Sequence, residues 1–94
     1  MGKKRGRLQI IHDILSAVRN KGGIIKPTHL LYKSNLSHQM MGEYLKDLLG
    51  KEFLLMHVDK KNSKTYSITK KGYDYLLEYK QVIKFVESFG LEED

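Results

Sequence analysis

Three lysines, Lys60, Lys61 and Lys64, lie within one stretch of five residues, beside Asn62, Ser63 and a single carboxylate, Asp59. Ammonium groups gathered in a short polar segment suit the capture of phosphate oxygens. They would equally serve a solvated turn. A second basic run, Lys3, Lys4, Arg5 and Arg7, lies near the N-terminus. It could follow the groove of a polyanion or contact its phosphates, or act only as a solubilising tail. Between the two clusters, Ser37, His38, Gln39, Gly42 and Lys46 are spaced so that one helix would bring them to one side. The chemistry these types offer is hydrogen bonding and charge, not bond breaking.

Other chemistry is poorly supplied. Cysteine is absent, which excludes disulfides, thiol catalysis and cysteine-ligated zinc. His12, His29, His38 and His57 form no i, i+4 pair of the kind that holds a metal on a helix. The glycines are scattered, so no phosphate-binding loop is present. Asp13, Glu43 and Asp47 read as solvent-face residues. A chain of 94 residues is expected to leave little volume for a catalytic pocket. The chain is therefore read as a non-enzyme without metal or cofactor.

The charge is directed. Seventeen Lys and Arg oppose eleven Asp and Glu, a net +6 with a pI near 9.5. The excess sits in the N-terminal run and the central cluster. From residue 70 onward four lysines face six carboxylates, ending in Glu92-Glu93-Asp94. Such a field suits a nucleic acid or an anionic surface. No apolar stretch is long enough to span a bilayer, and the basic start is followed by no signal-type apolar block. The expectation is a cytoplasmic, nucleoid-associated protein that does not engage a membrane.

Hydrophobic spacing supplies the elements. Leu8, Ile11, Ile14, Leu15 and Val18 recur at three and four, a helical face closed by Asn20-Lys21-Gly22-Gly23. Ile24-Ile25 fits one brief strand. Pro27 suits the first turn of a second helix, which carries Leu30 and Leu31 inward. Ser37 reads as the N-cap of a third helix with Met40, Met41, Tyr44, Leu45, Leu48 and Leu49 inward, ending around Gly50-Lys51-Glu52. Residues 53–58 and 65–68 are β-favouring runs, and the lysine cluster between them makes a hairpin with a basic tip. Thr69 caps a fourth helix that Gly90 stops.

The second and third helices are joined by only a few residues, around Asn35-Leu36, which is the economy of a helix-turn-helix. On such a third helix, Gln39 could make two hydrogen bonds to adenine, Gly42 would allow close approach, and Lys46 could reach the backbone. Glu43 could accept from a cytosine amino group, or pair with Lys46 or Lys33.

The runs Asn35-Leu36-Ser37, Tyr44-Leu45-Lys46-Asp47-Leu48 and Ile68-Thr69-Lys70-Lys71-Gly72-Tyr73-Asp74-Tyr75-Leu76-Leu77 resemble archaeal winged-helix DNA-binding proteins. The resemblance covers roughly residues 4–79 and is nearest to the small basic group whose C-terminal helix forms an antiparallel coiled-coil dimer. Its most specific piece is the Thr-x-Lys-Gly run after the hairpin. The resemblance implies an α+β, mostly helical winged helix-turn-helix fold. It also implies a third helix in the major groove and a hairpin wing on the backbone or minor groove. Many such families carry Gly at the end of the third helix where this chain has Glu52. Gly50 is expected to replace it as terminator.

The fourth helix shows two stripes. Tyr73, Leu76 and Leu77 are expected to face the core, after which that face meets Lys80, Lys84 and Glu87. The other stripe, Tyr75, Tyr79, Val82, Val86 and Phe89, follows an a/d seam, widened by Ile83 and Phe85. It would join two copies of the helix, or fold back on the first helix, whose Ile10 and Ala17 lie off its main apolar face. The chain is accordingly divided into a basic arm (1–7), a winged-helix domain (8–77), and a dimerising extension with an acidic tail (78–94). The reading is a homodimer that binds double-stranded DNA, as transcriptional regulator or nucleoid-associated protein. The alternatives are a winged-helix protein-interaction module or an RNA-binding protein.

Overall fold

A computed structural model of the chain describes residues 5–91. Along the chain they form α1 (Arg7–Asn20), β1 (Ile24–Ile25), α2 (Pro27–Ser34), α3 (His38–Gly50), β2 (Leu54–Val58), β3 (Lys64–Ile68) and α4 (Lys70–Ser88). This is the order that the hydrophobic spacing predicts. The three strands form an antiparallel sheet ordered β1-β3-β2, with Ile24 opposite Ser67 and Leu54 opposite Ile68. Period-2 alternation turns Leu54, Tyr66, Ile68 and Ile25 to one face, where they are buried with the helices.

α1 is the hub and packs against α2, α4 and β3. Its buried residues are Ile10, Ile11, Ile14, Leu15 and Val18. Here the structure exchanges two residues of the expected face. Leu8 is 59% exposed, and Ile10 is 5% exposed. Neighbours on several sides bury a wider arc than one stripe, and Ile10 falls beside Leu36 and Met40 of the helix-turn-helix junction. Gly22 and Gly23 then take left-handed backbone (φ 86° and 92°) and turn the chain into β1. Met40 is likewise 40% exposed rather than inward, because only Met41 and Leu48 of α3 are fully covered.

α3 ends where expected, around Gly50-Lys51-Glu52, but Gly50 is not the residue that terminates it. Lys51 is the C-cap and Glu52 adopts φ 61°, the left-handed conformation usually left to glycine. The Phe53 amide donates to the Leu48 carbonyl at 2.9 Å, and the Glu52 amide donates to the Leu49 carbonyl at 3.1 Å. Gly50 stays inside the helix and terminates nothing.

The Thr-x-Lys-Gly run joins that helix end to α4. The Thr69 hydroxyl accepts from the Gly72 amide (3.1 Å) and donates to the Glu52 carbonyl (2.7 Å). Lys71 Nζ donates to the Lys51 carbonyl (2.8 Å) and sits 4.8 Å from the centre of the Phe53 ring. At Gly72 a Cβ would stand 2.6 Å from both the Phe53 carbonyl oxygen and Ile68 Cγ1. Only glycine lets the helix start this close to the sheet.

The stripes of α4 are also reassigned. Leu76 is buried, but Tyr73 and Leu77 are 41% and 64% exposed. The inward positions beside Leu76 are Gly72, Tyr75 and Tyr79. The Tyr75 hydroxyl donates to the Leu8 carbonyl (2.6 Å), its ring meets Phe53 edge-on, and Tyr79 stacks on His12 at 4.5 Å. So the proximal part of the second stripe does fold back on α1, because α1 lies on that side of α4. Burial holds both phenols above their usual range, Tyr75 up to about 12. Beyond Lys80, Val82, Phe85 and Phe89 are exposed and Val86 is half-buried. Gly90 (φ 66°) closes the helix, with the Leu91 amide donating to the Val86 carbonyl at 2.9 Å.

Candidate nucleic-acid interface

Ser37 has the extended backbone of an N-cap, and its hydroxyl accepts from the Met40 amide at 3.1 Å. It therefore sets where α3 begins. His38, Gln39, Gly42 and Lys46 are all exposed along the outer side of α3, with Glu43 among them. Apart from its two chain neighbours and the surrounding backbone of α3 itself, no atom among the described residues lies within 4 Å of where a Gly42 Cβ would stand. Nothing inside the molecule calls for a glycine there, although glycine costs a helix interior about 1 kcal/mol relative to alanine.

The flank of this face is electrostatically settled. Asp47 accepts from Lys51 Nζ at 2.9 Å and pairs with Arg7. The Lys51 hydrogen bond, aided by the charges of Lys51 and Arg7, holds its carboxyl below the usual range. Glu43 and Lys46 enter no ion pair among the described residues. Glu43 is thus the uncompensated carboxylate on the outer face of α3.

The wing tip is a built turn. Asp59 Oδ1 accepts from the Lys61 and Ser63 amides (2.8 and 2.9 Å), and the Asn62 amide donates to the Asp59 carbonyl (3.0 Å). Asn62 takes φ 68°, which supplies the left-handed residue of a three-residue hairpin loop. Asn62 and Asp59 shape the tip. Lys60, Lys61 and Lys64 are exposed and enter no ion pair among the described residues.

The basic arm divides. Lys3 and Lys4 lie outside the described residues. Arg5 is engaged at the back of the helix-turn-helix junction, where its guanidinium donates to Asp13 (2.9 Å) and to the Ser34 and Asn35 carbonyls (both 3.0 Å). Asn35 is the left-handed residue that ends α2, and Arg5 satisfies carbonyls left free there. Arg7 pairs with Asp47 and lies 5.8 Å from the centre of the Tyr44 ring. The two arginines are thus internal fasteners rather than free positive charge. The Asp47–Lys51 pair has an i, i+4 spacing readable in the sequence. The clasp from Arg5 to Asp13, Ser34 and Asn35 carries no local signal.

No group of three or more His, Asp or Glu among the described residues could hold a metal. No helix of the described residues is long and apolar enough to cross a membrane.

The model of a family described as winged helix-turn-helix matches residues 4–87. The chain belongs to that family. An uncharacterized protein of Methanocaldococcus jannaschii is 32% identical over 83 residues, which is 88% of this chain and 36% of that protein. The chain thus spans about a third of that relative's length. Among solved structures, the winged-helix chain is similar to Sso10a-2, a DNA-binding protein from Sulfolobus solfataricus, with a TM-score of 0.76 and 27% identity. That match covers 90% of this chain and 85% of the other. A winged-helix DNA-binding protein from STIV matches with a TM-score of 0.72 at 17% identity, covering 86% of this chain and 92% of that one, and shares the fold.

Proposed function

We propose that this winged-helix protein binds double-stranded DNA as a homodimer, acting in transcriptional regulation or nucleoid organisation. The observation that carries the reading is the pairing of a capped α3, whose outer side is polar and open at Gly42, with a wing whose three lysines are uncommitted. α3 would enter the major groove, with Gln39 and His38 at base edges and Lys46 toward phosphate. The wing lysines would neutralise phosphates. The description of Sso10a-2 as a DNA-binding protein supports the same reading.

The dimer would form through the distal part of α4. Tyr75 and Tyr79 are occupied within their own protomer, so the contact falls to Val82, Ile83, Val86 and Phe89, with Phe85 beside them. An exposed apolar stripe of this kind on a protruding helix calls for a partner. Two linked half-sites would gain affinity from effective concentration alone.

Duplex DNA and duplex RNA shift assays at two salt concentrations test this. Each phosphate contact contributes about 0.9 to the slope of log affinity against log salt. Replacing Lys60, Lys61 and Lys64 by alanine is expected to flatten the slope. An unchanged slope removes the wing from the interface. Val82→Glu with Phe89→Glu, both exposed sites, is expected to give a folded monomer by sedimentation, with a steep loss of DNA affinity. A monomeric wild type overturns the dimer. Equal affinity for RNA overturns the preference for DNA.

A further inference from the structure

Arg5 precedes α1 in the chain, yet its guanidinium reaches the turn between α2 and α3. Nη1 donates to Asp13 (2.9 Å) and to the Ser34 carbonyl (3.0 Å), and Nη2 donates to the Asn35 carbonyl (3.0 Å). These carbonyls close α2, where the helix itself has no amide left to offer them. Asp13, on α1, anchors the fork from the other side, and both side chains are partly buried. The planar guanidinium is suited to such a site, because its donors stand in a fixed geometry.

The turn held in this way is the one that aims α3. Asn35 is left-handed at φ 53°, Leu36 follows, and Ser37 is already the cap of α3. With so short a connection, the backbone of the turn sets the direction of the helix. α3 has 13 residues. At about 1.5 Å per residue it is about 20 Å long, so a tilt of about 10° at the turn moves its far end by about 3 Å. Hydrogen bonds to base edges tolerate only a few tenths of an ångström. The attraction of an ammonium group for phosphate falls slowly with distance and survives such a shift. A tilted α3 therefore loses discrimination before it loses affinity. Arg5 itself stands away from the reading side. It borders an open groove of about 460 Å³ between α1 and α2 and a smaller one beside Ser37 and Met40, and His38, Gln39, Gly42 and Lys46 line neither.

We propose that Arg5, anchored by Asp13, is a positioning residue that sets how sharply the α3 face tells one DNA sequence from another, without touching the duplex. This rests on the DNA-binding reading given above. At Asp13, charge and geometry act in opposite directions. Removing the carboxylate makes the protein more positive, which by electrostatics alone tightens DNA binding. It also frees Arg5 from its anchor on α1, which loosens the turn and lowers discrimination.

Selection of the full chain on random duplexes supplies a preferred site, and shift assays over a salt series then compare that site with random DNA. Arg5→Lys keeps the charge but cannot reach Asp13 and both carbonyls from two separate nitrogens. It is expected to leave the salt slope unchanged and to lower the preference for the selected site about fivefold or more, the scale of one base contact. Asp13→Ala is expected to bind random DNA at least as tightly as the wild type and to lose preference by a similar factor. Without DNA, the Ser37 and His38 amides are expected to shift in NMR spectra of both variants. Circular dichroism checks that they fold, and if Arg5→Lys does not, Asp13→Ala carries the test. The proposal is overturned by variants that keep the wild-type preference, or by Ser37 and His38 amides that stay in place. A salt slope about 0.9 lower in Arg5→Ala also overturns it, because Arg5 would then be a phosphate contact. A wild type that binds duplexes with no preferred site overturns it and leaves the DNA-binding reading standing, whereas a wild type that binds no duplex overturns both.

Discussion

Gly72 is where a single methyl group should tell most about how α4 is attached. Its Cβ would stand 2.6 Å from the Phe53 carbonyl oxygen and 2.6 Å from Ile68 Cγ1. Ordinary contact between such atoms begins near 3.5 Å, so relief needs a shift of about 1 Å. Neither neighbour can give easily. The Phe53 carbonyl accepts from the Thr69 amide (3.2 Å) and lies 3.1 Å from the Thr69 hydroxyl, whose one proton it shares with the nearer Glu52 carbonyl. Ile68 is 9% exposed in the core. Overpacking of this kind costs about 1–3 kcal/mol. The greater helix propensity of alanine returns up to about 1 kcal/mol, less in a first turn. Gly72→Ala should therefore destabilise by about 1–2 kcal/mol, or roughly 5–15 °C in Tm for a domain of this size. Thermal and urea unfolding followed by circular dichroism measure it. An unchanged or raised Tm would show that α4 is not seated on the Phe53 carbonyl, and the close-approach argument would fail.

Gly42→Ala should do the opposite, raising stability by about 0.5–1 kcal/mol because its Cβ meets open space in a helix interior. The same variant should bind DNA more weakly, and undiminished affinity would remove Gly42 from the interface. Glu52→Gly should stabilise by about 1 kcal/mol in urea unfolding, since a left-handed residue at φ 61° is strained for any side chain. A loss instead would mean that the Glu52 side chain matters more than its backbone. Tyr75, held near 12 when folded against 10.0 as its ordinary value, favours the folded state while neutral. That stability is complete below pH 10 and is lost as pH rises toward 12, so phenolate absorbance should show a late-titrating tyrosine that Tyr75→Phe removes.

Much of this molecule is local and was readable from the chain. Helical spacing in α1 and α3, the left-handed pair Gly22-Gly23, Pro27 at a helix start, and the Ser37 and Thr69 caps depend on residues only a few positions apart. The basic hairpin tip was legible for the same reason, since Asp59, Asn62 and Ser63 build a turn among themselves and leave the lysines outside. Tertiary structure decided what depends on distant partners. Arg5 and Arg7 look like free charge in sequence, but Asp13, Ser34 and Asn35 hold one and Asp47 holds the other, across 8 to 40 residues. Glu52 takes a glycine's conformation because Phe53 and Thr69 must meet there. The stripe of α4 splits because α1 covers Tyr75 and Tyr79 and does not reach Val82 or Phe89. Periodicity reports which residues share a face. Which part of that face is buried depends on where the neighbouring helix ends, and only packing sets that.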